Sequence, residues 1–169
     1  MINLDRGGYR FSGPDDRVQF DLNADGKPDT ANWTARGTTI AFLALDRNGN
    51  GVIDDGRELF GSATLGRNGA TAPNGFWALA DLDSNMDGVV DSKDDAWKRL
   101  LLWIDENHDG VSQPNELHPI SSSSVTAIDT SYHWSGRVDI YGNQFRDEGR
   151  AIVNGKPTSI YDVWFVTGK

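Results

Sequence analysis

Four short segments of the chain repeat the pattern Asp-x-Asn-x-(Asp/Asn)-Gly. They are Asp21-Leu-Asn23-Ala-Asp25-Gly26, Asp46-Arg-Asn48-Gly-Asn50-Gly51, Asp83-Ser-Asn85-Met-Asp87-Gly88 and Asp105-Glu-Asn107-His-Asp109-Gly110. Side-chain oxygens at loop positions 1, 3 and 5 converge when the backbone curls tightly. Glycine at position 6 permits the sharp turn, the position 7 carbonyl adds an oxygen, and a carboxylate near position 12 closes the cage. A donor set made only of hard oxygens suits Ca²⁺ rather than zinc or copper. One such segment also fits a solvated Asp/Asn/Gly turn; four in one small chain point to metal.

The four loops are not equal. The Asp105 loop is the most regular, with Asp105, Asn107, Asp109, the Val111 carbonyl and Glu116 at position 12. Its departure is Ser112 at position 8, where an apolar β-branched residue usually pairs two loops. The Asp83 loop offers Asp83, Asn85, Asp87, the Val89 carbonyl and Asp94 at position 12, with Asp91 at position 9 reaching an ion through water. The Asp46 loop offers Asp46, Asn48, Asn50 and the Val52 carbonyl, but has Arg57 at position 12. A one-residue expansion there lets Asp54 or Glu58 close the site. The Asp21 loop offers Asp21, Asn23, Asp25, the Lys27 carbonyl and Asp29 at position 9. Strand-like residues flank it, so it reads as a metal-binding β-hairpin loop. Leu4-Asp5-Arg6-Gly7-Gly8-Tyr9 looks like a loop of the same kind that has lost its ligands.

Helices and strands must position these loops. Asn74 caps a helix over Gly75–Ala80 that leads into the Asp83 loop. Ser92 caps a second, whose apolar positions Ala96, Trp97, Leu100, Leu101 and Ile104 follow the helical period and run into the Asp105 loop. Pro114 opens a short final helix over Asn115–His118. Residues 57–72 form a surface loop. Candidate strands are Tyr9–Phe11, Val18–Phe20, Ile40–Leu45, Val125–Tyr132, Gln144–Val153 and Ser159–Val166, with Asn154-Gly155 as a hairpin turn. The last strand is long and aromatic and should be interior or firmly paired. The expected fold is α+β. An EF-hand-like helix-loop-helix core over 46–118 is flanked by antiparallel β segments at 1–45 and 119–169, all within one calcium-binding domain.

Composition excludes several function classes. The chain has 169 residues, a formal charge of −9 and no cysteine. The acidic balance argues against nucleic acid, because phosphate binding needs net positive charge. No apolar run is long enough for a membrane-spanning helix, and no signal peptide is visible after Met1. Without cysteine there is no disulfide framework and no thiolate zinc site. His108, His118 and His133 show no zinc spacing, and no Gly-x-Ser-x-Gly nucleophile motif occurs. Four divalent ions would bring the charge of −9 to about −1. Repulsion among crowded carboxylates would then become the driving force for closure, and binding free energy would become folding free energy.

Three blocks carry a family resemblance: Ala44–Gly61, Asn74–Asp83 and Trp103–Leu117. In order and spacing the chain resembles the calcium-binding module of bacterial RTX proteins, and Tyr141–Phe145 with Tyr161–Phe165 are similar to one branch of it. That branch includes the self-processing modules of iron-regulated RTX toxins. The resemblance implies a module folded by three to four Ca²⁺ ions in a secreted or surface bacterial protein, exported unfolded. In the self-processing modules, calcium triggers cleavage of an Asp-Pro bond. No Asp-Pro dipeptide occurs here, so the chain is expected not to be an enzyme unless a scissile bond lies upstream. The expected partners are calcium and a parent polypeptide or docked protein, with the module itself a monomer. Two other classes compete: a carboxylate hydrolase or autoprotease, and a dockerin-like docking module suggested by the 22-residue spacing of Asp83 and Asp105.

Overall fold

The computed structural model describes residues 1–168. Eleven strands and one short α-helix make up its regular structure. In chain order they are β1 (Ile2–Asn3), β2 (Val18–Phe20), β3 (Asp29–Ala31), β4 (Ile40–Ala44), α1 (Gly75–Ala80), β5 (Val89–Asp91), β6 (Leu101–Trp103), β7 (Leu117–Pro119), β8 (Val125–Val138), β9 (Gln144–Val153), β10 (Lys156–Trp164) and β11 (Thr167–Gly168). The strands form three antiparallel sheets, ordered β1-β4-β6-β7, β10-β9-β8-β5 and β11-β3-β2.

The expected α+β fold with an EF-hand-like helix-loop-helix core is therefore wrong. The regular structure of the described residues is almost wholly strand, and their single α-helix has six residues. That helix does start where the sequence placed it: the Asn74 side chain accepts the Trp77 N–H at 2.9 Å. The helix expected after Ser92 shrinks to a single 3₁₀ turn over Trp97–Arg99. Leu101, Leu102 and Trp103 then extend as β6 between β4 and β7. A helix with Ala96, Trp97, Leu100, Leu101 and Ile104 on one face would have left Leu102 facing water. Leu102 is fully buried, and the continuous apolar run from Leu100 to Ile104 fits a strand covered on both faces better than an amphipathic helix. The final helix expected over Asn115–His118 is also absent, because Leu117–Pro119 pairs with β6 instead.

The β segments match expectation more closely. β2 and β4 lie where alternation and apolar runs placed them, and β9 has the expected limits. β8 continues six residues past Tyr132 to Val138. Asn154 and Gly155 both take positive φ, 51° and 70°, as a tight hairpin between β9 and β10 requires. Tyr9–Phe11 forms no strand; Phe11 makes one isolated bridge to Thr34. β10 is not interior. It pairs along its length with β9 and lies at the sheet edge, where the Tyr161 N–H donates to the Met1 carbonyl.

The core has an aliphatic and an aromatic part. The first gathers Leu43, Leu79, Val90, Leu100, Leu102 and Ile128 between the β4 and β8 sheets. The second centres on Phe20, Trp33, Phe42 and Trp103, with the Trp33 and Phe42 rings 4.5 Å apart. α1 lies against β8 and β9, and the Phe76 ring stacks on Tyr132 at 5.2 Å. Gly149 makes that approach feasible: a Cβ there would strike the Phe76 ring and come within 3.0 Å of the Ser131 carbonyl. Gly149→Ala is expected to lower stability by about 1–3 kcal/mol through overpacking, read as a lower midpoint in urea unfolding.

Candidate metal centre

All four acidic segments adopt one loop conformation. The first aspartate accepts the N–H of the position 6 glycine through one carboxylate oxygen: Asp21 from Gly26 at 2.8 Å, Asp46 from Gly51 at 2.9 Å, Asp83 from Gly88 at 2.8 Å and Asp105 from Gly110 at 2.9 Å. The position 3 asparagines (Asn23, Asn48, Asn85, Asn107) each accept the position 5 N–H. The position 5 side chains (Asp25, Asn50, Asp87, Asp109) accept the N–H groups of Lys27, Val52, Val89 and Val111. Backbone signs agree as well. Position 4 has positive φ in every loop, at Ala24 (60°), Gly49 (75°), Met86 (58°) and His108 (62°), as does the glycine at position 6. Three of the four position 4 residues are not glycine, so the loop holds L-residues in a region they disfavour.

A more distant acid closes each loop by accepting the position 2 N–H. Asp29 takes Leu22 at 3.2 Å, Glu58 takes Arg47 at 2.9 Å, Asp94 takes Ser84 at 2.7 Å and Glu116 takes Glu106 at 2.9 Å. In the Asp46 loop, Glu58 rather than Asp54 has this place; Asp54 instead receives the amides of Asn48 and Asn50. Arg57 at position 12 turns to Asp55, and this side-chain hydrogen bond holds the Asp55 carboxyl below the usual carboxylate range. At Asp94, burial favours the neutral form, but the N–H groups of Asp91 and Ser84 and the Ser84 hydroxyl outweigh it and keep the carboxyl low.

Five of the loop carboxylates are buried. Glu116 is 1% exposed, Glu58 3%, Asp94 4%, Asp105 6% and Asp83 9%. None makes a salt bridge among the described residues. N–H groups hold each of them, as at Asp94, and buried charges commonly also have a paired cation or a metal. The donor set therefore fits a hard cation. No group of three or more acidic or histidine side chains converges to hold an ion among the described residues. A cage on these loops would have to draw on the asparagines and position 7 carbonyls as well. Among the described residues, the Asp105 loop also contains the two buried side-chain polar atoms without a hydrogen-bond partner, His108 Nδ1 and Gln113 Oε1. Gln113 stands at position 9, where Asp29, Asp54 and Asp91 stand in the other loops. Its amide holds Asp109 at 2.8 Å while its oxygen is unused. It escaped the sequence reading because it is neutral.

Three of the loops touch one another. Ser112 receives the Ile53 N–H, joining the Asp105 and Asp46 loops. The Asp21 carbonyl receives the Gly56 N–H at 2.8 Å. The Asp83 loop is apart: Val90, its position 8 residue, pairs with Ile128 of β8. Two indoles also reach the Asp105 loop. Trp33 Nε1 donates to Asp105 at 2.9 Å and Trp103 Nε1 to Glu116 at 3.4 Å. Neither tryptophan stands out by loop spacing, which weighs oxygen donors alone.

A family model described as the SPM domain matches residues 1–166. The chain belongs to the SPM-domain family. It is similar to the iron-regulated protein FrpA of Neisseria meningitidis serogroup C, with 39% identity over 113 residues, covering 67% of this chain and 10% of that protein. It is also similar to the cellulose synthase operon protein C of Pseudomonas fluorescens (strain SBW25), with 35% identity over 89 residues, covering 52% of this chain and 6% of that protein. This SPM domain thus spans a tenth or less of the relatives it matches. The first likeness agrees with the relation to iron-regulated RTX proteins that the motifs suggested.

Trp33→Phe keeps the aromatic packing of this SPM domain but removes one donor from a buried carboxylate. It is expected to cost about 2 kcal/mol, measured by equilibrium urea unfolding.

Proposed function

We propose that this SPM domain is a calcium-ordered folding module of a secreted or cell-surface bacterial polypeptide of the RTX type. The observation that carries the reading is the set of five buried loop carboxylates without a cationic side-chain partner. One conformation shared by four loops supports it, as does the oxygen-only donor set. The ligands assigned are Asp21, Asn23, Asp25, Lys27 carbonyl and Asp29; Asp46, Asn48, Asn50, Val52 carbonyl, Asp54 and Glu58; Asp83, Asn85, Asp87, Val89 carbonyl and Asp94; and Asp105, Asn107, Asp109, Val111 carbonyl and Glu116. When bound, calcium supplies charge neutralisation and ordering rather than Lewis-acid chemistry.

The sequence of events follows from charge. Where calcium is scarce, as in the cytosol, the acidic loops repel one another and the chain is poorly ordered. Outside the cell, sites with dissociation constants of about 10⁻⁴–10⁻³ M fill. Each site held at a hundred times its dissociation constant would add about 2.7 kcal/mol, and two such sites rival the whole stability of a small domain, about 5–15 kcal/mol. The module acts on its parent polypeptide by folding; residues 1–169 contain no Asp-Pro bond, so self-processing would need a scissile bond upstream of them. Its small share of its relatives supports a role inside a long chain. Among the described residues no helix is long and apolar enough to cross a membrane.

Excess EGTA is expected to abolish near-ultraviolet circular dichroism and expand the chain, with recovery on adding Ca²⁺; unchanged spectra in EGTA would rule the reading out. Isothermal titration should also rank the sites. Asp105→Ala and Asp83→Ala remove buried carboxylates and are expected to weaken calcium binding more than Asp21→Ala, whose carboxylate is partly exposed. Equal losses in all three would contradict the assignment.

A further inference from the structure

The Asp46 and Asp105 loops meet at one buried point. Ser112 is position 8 of the Asp105 loop and Ile53 is position 8 of the Asp46 loop. The Ile53 N–H donates to the Ser112 hydroxyl at 2.7 Å, and that hydroxyl reaches back to the Ile53 carbonyl at 3.4 Å. Both residues are buried. A side chain thus replaces the backbone pairing that a β-branched residue would have favoured. Each partner directly follows its loop's position 7 residue, Val111 or Val52, whose carbonyl is an assigned ligand. Behind them stand the two closing glutamates. Glu58 holds the Asp54 N–H, next to Ile53, and Glu116 holds the Gln113 N–H, next to Ser112. Any displacement of one loop at position 7 or 8 is therefore felt by the other through a buried hydrogen bond. The Asp83 loop has no such connection, because Val90 is tied to β8.

We propose that Ser112 is a positioning residue that couples the Asp46 and Asp105 loops, so that an ion in one raises the affinity of the other beyond the linkage that common folding gives every site, the Asp83 loop included. This rests on the calcium reading of the loops. Coupling of this kind is reciprocal and commonly amounts to about 5–150-fold in affinity.

The test is a calcium titration of the full chain by calorimetry and tryptophan fluorescence, since Trp33 and Trp103 touch the Asp105 loop. Glu58→Gln disables the Asp46 loop, and Asp94→Asn disables the Asp83 loop. Both variants lose the affinity that every site shares through folding, but Glu58→Gln is expected to weaken the site reported by fluorescence about fivefold more than Asp94→Asn does. With Ser112→Ala present, that difference should shrink below about twofold, while Ser112→Thr, which keeps the hydroxyl, should preserve it. Equal shifts from Glu58→Gln and Asp94→Asn, or a difference between them that survives Ser112→Ala, would overturn the coupling while the calcium reading stands. A wild-type chain that binds no calcium would overturn both. The comparison of Glu58→Gln with Asp94→Asn holds even if Ser112→Ala fails to fold.

Discussion

Buried negative charge without a protein counter-charge is the constraint on which the rest of this structure depends. Carboxylates at Asp83, Asp94, Asp105, Glu58 and Glu116 lie inside the protein, held by converging N–H groups. The chain has 16 basic residues, yet the lysines and arginines that do form ion pairs take Asp16, Asp55, Asp87 and Asp91. Of these only Asp87 is an assigned loop ligand, and its contact is at the exposed rim. The five interior loop acids have no basic side-chain partner among the described residues. Under the calcium proposal the same groups that oppose compaction without metal enforce it with metal, and stability becomes a function of the medium.

The aromatic core is tied into that arrangement. Trp33 and Trp103 pack with Phe20 and Phe42, and each also sends its indole N–H to an acid of the Asp105 loop. Hydrophobic burial and loop geometry are thus one structure here. A loop that opens leaves two buried indole donors without acceptors, and a core that loosens releases the carboxylates from their fixed positions.

The loops were legible in the sequence because their chemistry is local: spacing, residue type and the position 6 glycine lie within six residues. The closing acids were partly legible. Glu116 and Asp94 stand at the regular distance, whereas it is Glu58, not Asp54, that takes the Arg47 N–H, which spacing does not encode. The helices on either side were misread for a different reason. The run from Trp97 to Ile104 satisfies a helical period, but it also satisfies a buried strand, and the presence of β4 and β7 decides between them. That is tertiary information. The pairing of loops was hidden likewise: Asp83 and Asp105 are neighbours in sequence, yet Asp105 meets the Asp46 loop through Ser112, and a polar residue at position 8 gives no sign of it.

Eight of the eleven strands have five residues or fewer. Ribbons that brief do not persist alone in water, and the lone helix is shorter than an isolated helix needs to be. Outside the consecutive β8, β9 and β10, little order can form before distant segments meet, so most of this architecture assembles together or not at all.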